Sequence, residues 1–124
     1  MTDPQRFVET LGVYDRTADD GEAHLRLDVT EQHLNEAGTL HGGVLATLVD
    51  TAMGQAVRSR TGEDDVPATS QLTITYLRPG GPGTLQVTGR VSKQGEHLTV
   101  CEADVEQDGR SLVHAVATFA VLHR

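Results

Sequence analysis

His33-Leu34-Asn35-Glu36-Ala37-Gly38-Thr39-Leu40-His41-Gly42-Gly43 leads without a break into Val44-Leu45-Ala46-Thr47-Leu48-Val49-Asp50-Thr51-Ala52-Met53-Gly54-Gln55-Ala56-Val57. In the second half Val44, Leu45, Leu48, Val49, Ala52, Met53, Ala56 and Val57 recur at helical spacing and form one wide apolar stripe, with Asp50 off it. Such a stripe has to be buried. Gly42 and Gly43 stand at the helix start, where backbone N–H groups have no intrahelical partner and carry partial positive charge. Without side chains there, a ligand can approach those groups closely, so an oxyanion site is expected at this turn.

Outward from the helix the period changes to two. Ala23, Leu25, Leu27 and Val29 alternate with His24, Arg26 and Asp28, the pattern of a half-buried strand over Glu22 to Val29. Leu11 to Tyr14 is expected to pair with it across the polar turn at Asp19-Asp20-Gly21. The helix should fade near Arg60-Thr61-Gly62, and an acidic loop, Glu63-Asp64-Asp65, leads to a strand in which Leu72, Ile74 and Tyr76 alternate with polar residues. Leu85, Val87, Gly89 and Val91 continue the alternation, and Leu98 to Val105 repeats it with a phase slip between Val100 and Cys101 that suggests a bulge. Asp108-Gly109 marks a tight turn, and Leu112 to Leu122 is apolar on both faces, as for a central strand covered on both sides. Residues 1–124 are expected to form one α+β domain, an antiparallel sheet wrapped around one long central helix, with Pro79-Gly80-Gly81-Pro82-Gly83 as a loop inside it.

Composition excludes several classes. A net charge of -8 with only 10 Lys and Arg argues against nucleic-acid binding, and the four aromatics are too dispersed for base stacking. No apolar run approaches bilayer length, and Met1-Thr2-Asp3-Pro4-Gln5-Arg6 lacks a signal-peptide core, so a soluble, cytoplasmic protein with no membrane partner is expected. Cys101 stands alone, which removes an intrachain disulfide and a multi-cysteine zinc cluster; it reads as core rather than nucleophile. His33 and His41 lack a convincing third ligand, so neither a metal nor any other cofactor is expected.

Gly42 and Asp50 lie eight residues apart, ~12 Å along the helix axis and roughly 80° around it, too far to meet one substrate carbonyl comfortably. Gly43, Thr47, Asp50 and Gly54 present a narrow face of small residues that permits close approach. An antiparallel second copy of the helix would bring its Asp50 near the Gly42 end of the first, giving two equivalent sites at a two-fold interface. The chemistry this suits is attack on an activated acyl group, with the Gly42 N–H polarising the carbonyl and Asp50 serving the nucleophile. A thioester fits best, since its thiolate leaves readily and a carboxylate can then either deprotonate water or attack directly.

Asn35-x5-His41-Gly42-Gly43 followed by Asp50, with Thr73-Ile74-Thr75-Tyr76-Leu77-Arg78-Pro79 after the helix, resembles the hotdog-fold acyl-CoA thioesterases of the phenylacetate-degradation (PaaI-like) type over nearly the whole chain. The resemblance implies Asp50 as catalytic carboxylate, Gly42 as carbonyl-polarising donor, and Asn35 with His41 orienting the site. It also implies a hydroxyl residue near the acid, either Thr69 or Ser70, and dimers, often paired into tetramers, with coenzyme A at subunit boundaries. Cations for its phosphates would come from among Arg78, Arg58, Arg60, Arg90 and Lys93. Beside these roles stand plainer ones: Asn35 as a turn former, His41 as a structural residue at the helix start, Asp50 as a solvated acid and the glycines as packing devices. A non-catalytic acyl-CoA-binding module and a hotdog dehydratase or hydratase are the rival functions, the latter expected to show a different His/Asp segment.

Overall fold

The computed structural model describes residues 6–123; the segment 1–5, read above for a leader, lies outside them. In chain order the elements are α1 (Phe7–Leu11), β1 (Tyr14–Asp19), β2 (Glu22–Asp28), a 3-10 turn at Glu31–His33, α2 (Gly42–Arg58), β3 (Asp65–Tyr76), β4 (Thr84–Gln94), β5 (Leu98–Gln107) and β6 (Arg110–His123). The six strands make one antiparallel sheet in the order β1-β2-β4-β5-β6-β3.

The sheet can wrap α2 because its middle is lined with small residues. Ala23 pairs with Gly89, Gly89 with Ala103 and Ala103 with Ala115, so one row across four strands carries no side chain larger than a methyl group. Ala52 of α2 comes down on that row: a Cβ added to Gly89 would lie 2.5 Å from the Ala52 carbonyl carbon. Larger apolar side chains fill the next row, where Leu25, Val87, Val105 and Val113 align. On the helix, Leu45, Leu48, Val49, Ala52, Met53, Ala56 and Val57 are buried, as their spacing requires. Their removal from water, with the inward residues of the sheet, drives the helix into its trough.

Several local expectations change. Leu11 ends α1 rather than opening a strand; β1 begins at Tyr14, and the Asp19-Asp20-Gly21 turn closes the β1–β2 hairpin. The helix stops at Arg58, where Arg60 and Thr61 add turn-type bonds to Val57 and Arg58. The irregularity expected between Val100 and Cys101 sits across the ladder, on β4: Val91 pairs with Cys101 and Lys93 with Val100, leaving Ser92 as the extra residue. β5 keeps an unbroken alternation with Thr99, Cys101, Ala103 and Val105 inward. β6 lies between β5 and β3; its inner residues are buried, whereas Val116 on its outer face is 37% exposed, so within one chain it is covered on one side. Asp108 and Gly109 both take positive φ, as a two-residue turn between paired Gln107 and Arg110 demands.

Candidate active site

α2 and β3 run antiparallel, side by side, and three contacts tie them: Tyr76 to Gly42, Thr69 to Asp50, and the Arg58 guanidinium to the Asp65 carbonyl. The first two join at the same strand face because β3 is bulged. Thr69 pairs with Phe119 and Gln71 with the adjacent Thr118, which leaves Ser70 as an extra residue. That residue resets the alternation, so that Thr69 before it and Leu72, Ile74 and Tyr76 after it all turn toward the helix. Of the two hydroxyls left open by the sequence, Thr69 reaches the acid and Ser70 is the exposed bulge residue.

The Thr69 hydroxyl donates to Asp50 Oδ1 at 2.7 Å, short enough for a charge-assisted bond. Among the described residues no other side chain or backbone donor hydrogen-bonds the Asp50 carboxylate, which leaves Oδ2 open, and the residue is only half-buried.

At the helix start His41 is the N-cap: with φ -65° and ψ 130° its Nδ1 accepts the Gly43 N–H at 2.8 Å. A ring accepting at Nδ1 carries its proton on Nε2. The fit depends on Gly43, since a Cβ there would sit 3.0 Å from that nitrogen. The Val44 N–H bonds the His41 carbonyl at 3.0 Å, and no bond among the described residues uses the Gly42 N–H. Tyr76 donates its hydroxyl to the Gly42 carbonyl at 2.9 Å.

Asn35 is spent on its own loop, its Oδ1 accepting from the N–H groups of Ala37 at 2.9 Å and Thr39 at 3.1 Å. Thr47 donates to the carbonyl of Gly43 one turn back, at 2.8 Å. Gly54, expected on the face beside Asp50, packs under the Phe119 ring. His33 is 1% exposed and uses both ring nitrogens, accepting from the Thr30 N–H at Nδ1 and meeting the Leu11 carbonyl from Nε2 at 2.8 Å. It ties the end of α1 to the segment preceding His41.

The cations separate. Arg90 is locked between Glu102 and Asp104 at 3.0 Å each, and those bonds, Asp104's first, raise the pKa of its guanidinium. Burial pushes the Asp104 carboxyl upward, but bonds from His114 and Arg90 outweigh it and hold the group below the usual carboxylate range. Arg60 pairs with Asp20, and Arg58 bonds the Asp65 carbonyl. Arg78 bonds the Ser111 carbonyl and borders a groove of about 360 Å³, walled by Leu40, Leu45, Tyr76 and Leu77, beside the helix start. Burial raises the Cys101 thiol to about 11, so at neutral pH it is a protonated core residue.

A six-stranded antiparallel sheet folded around a single long helix is the hotdog architecture. The chain matches the thioesterase superfamily model over residues 37–114 and belongs to that superfamily, in its PaaI-like hotdog group, as a thioester hydrolase. It is 35% identical to human acyl-coenzyme A thioesterase 13 over 85% of this chain and 76% of that protein. Against acyl-coenzyme A thioesterase PaaI of Escherichia coli the identity is 36% over 85% of this chain and 74% of the relative. The solved structure of E. coli PaaI, described as from the phenylacetic acid degradation operon, superimposes with a TM-score of 0.84, at 30% identity over 93% of this chain and 83% of that one. A hypothetical thioesterase from Streptococcus pneumoniae TIGR4, solved with coenzyme A, gives a TM-score of 0.83 at 29% identity, covering 91% and 90%.

Sequence reasoning missed one contact of this region. Tyr76 read as an ordinary alternating strand residue, and nothing local announces a partner 34 residues away.

Proposed function

We propose that the protein hydrolyses an acyl-CoA thioester in a site shared by two protomers, the Gly42 N–H of one polarising the thioester carbonyl and Asp50 of the other activating the attacking water or attacking itself. The observation that carries this reading is the position of both groups along β3, which is an edge strand of the sheet among the described residues. A second chain docked edge to edge and antiparallel continues the sheet and sets two α2 helices side by side. A two-fold axis passing between the two helices, level with the stretch from Gly42 to Asp50, then turns each acid toward the other chain's Gly42 N–H.

Asp50 is held by Thr69 at Oδ1, with Oδ2 unbonded among the described residues, a carboxylate ready to accept a proton from water or to reach an acyl carbon. In either route collapse of the tetrahedral intermediate expels the CoA thiolate, a far better leaving group than an amine, so no Ser-His pair is required; direct attack leaves the acyl group as an anhydride on Asp50, which water then hydrolyses to the free acid. His41 and Asn35 act through the backbone, His41 by capping the turn and Asn35 by shaping the loop before it. Gly43 and Thr47 complete that turn, and Arg78 at the groove is the cation best placed for a CoA phosphate. Aryl or medium-chain acyl groups, pairing of dimers into tetramers and a cytoplasmic setting belong to the same reading.

The purified protein is expected to release thiol from at least one of phenylacetyl-, hydroxybenzoyl- and medium-chain acyl-CoA with kcat in the range of about 1–10³ s⁻¹. Binding of all three without thiol release would replace hydrolysis by a binding role.

A further inference from the structure

The Gly42 carbonyl and the Gly43 N–H belong to one peptide unit, and both ends of that unit are held by side chains. Tyr76 donates to the oxygen at 2.9 Å, and His41 Nδ1 accepts from the nitrogen at 2.8 Å. The two side chains come from opposite directions, one from the C-terminal end of β3 and the other from the residue just before the helix. A peptide plane gripped at both ends cannot swing about its neighbouring bonds. The preceding unit, which carries the Gly42 N–H, is held at its other end, where the His41 carbonyl accepts from the Val44 N–H at 3.0 Å and the Leu45 N–H at 3.4 Å. The two glycines make the grip necessary, because a residue without Cβ holds its own dihedrals weakly.

We propose that Tyr76 is a positioning residue for the reaction: its hydroxyl, opposite the His41 ring, clamps the Gly42–Gly43 peptide so that the Gly42 N–H, the open first-turn donor among the described residues, is already aimed when the thioester arrives. The proposal rests on the thioesterase reading above and adds a residue whose hydroxyl acts through the backbone. Donors fixed before the reaction are worth most in the transition state, where charge has moved onto oxygen, so the hydroxyl should affect turnover rather than binding.

Tyr76→Phe removes the hydroxyl and keeps the ring, whose edge lies against Gly42; Tyr76→Leu removes both. Tyr76→Phe is expected to lower kcat about tenfold with KM changed by less than about twofold. In amide hydrogen exchange it should speed the Gly43 N–H about fivefold or more while the core amides of Ala103 and Val105 exchange as in the parent. Wild-type kcat in Tyr76→Phe, with loss confined to Tyr76→Leu, would show that ring packing alone matters and overturn the proposal. So would a change carried by KM, or equal acceleration of Gly43 and the core amides. A parent protein inert toward every thioester would remove the functional reading itself; the exchange measurement decides the clamp independently of it.

Discussion

Asp50→Asn is expected to lower kcat for acyl-CoA hydrolysis by about 10²–10⁴-fold with little change in KM, since the amide keeps the shape of the carboxylate but neither takes a proton nor attacks carbon. The complementary variant is Gly42→Pro. Proline lacks the N–H proposed to polarise the carbonyl, suits the first position of a helix, and tolerates the extended backbone of His41 before it, at φ -65° and ψ 130°. Its Cβ would lie 3.3 Å from the Tyr76 hydroxyl, which has to give by a few tenths of an ångström, and the expected cost of losing the N–H and tightening that contact is about 10²–10³-fold in kcat, with the helix intact. Mixing the two inactive proteins by unfolding and refolding then tests the shared site. In a dimer carrying one of each, the site built from the unaltered Gly42 of one chain and the unaltered Asp50 of the other is whole. Random pairing should recover about a quarter of the parental activity, half of the dimers having one of two sites intact. If each chain supplies its own Gly42 and Asp50 to one site, mixing recovers nothing, and the two-protomer reading fails while hydrolysis itself stands.

The helix and the turn before it were legible because local rules settle them: a wide apolar stripe at helical spacing, paired glycines at the start, one acid off the stripe. Alternation in Ala23 to Val29 and in Leu85 to Val91 likewise announces strands, whose inner residues Ala23, Leu25, Leu27, Leu85, Val87 and Gly89 are buried while Val29 and Val91 at the ends are partly so. What escaped depended on pairing between segments distant in sequence. Whether Thr69 or Ser70 meets Asp50 is decided by a bulge in β3, and in the run Ala68-Thr69-Ser70-Gln71 no apolar residue betrays the change of phase. Leu98 and Val100 are apolar yet face outward, which makes the phase slip in the sequence fall in β5 between Val100 and Cys101; the ladder puts the extra residue in β4. Asn35 illustrates a different limit. Its likeness to a site residue and its local turn chemistry were both visible, and the structure shows the turn bonds directly.

Gly89→Ala is expected to destabilise the fold by about 3 kcal/mol although it adds a single methyl group and improves strand propensity. The added carbon would stand 2.5 Å from the Ala52 carbonyl carbon, 2.7 Å from its oxygen and 2.7 Å from the Met53 nitrogen, all of them helix backbone. No rotamer change relieves such a contact. Either α2 lifts away from the row Ala23, Gly89, Ala103, Ala115, opening gaps beneath Leu48 and Met53, or β4 bends outward and strains its ladders with β2 and β5. For a chain of 124 residues the loss corresponds to a fall of about 10 °C in Tm. Gly81→Ala is the control, because no atom lies within 4 Å of its would-be Cβ, and it should leave Tm within about 2 °C of the parent. A Gly89→Ala protein as stable as that control would mean that the helix is free to ride higher on the sheet. The distance between Asp50 and Thr69, which joins helix to strand, would then not be set by packing in the trough, and the acid's geometry would have to be fixed by the neighbouring protomer instead.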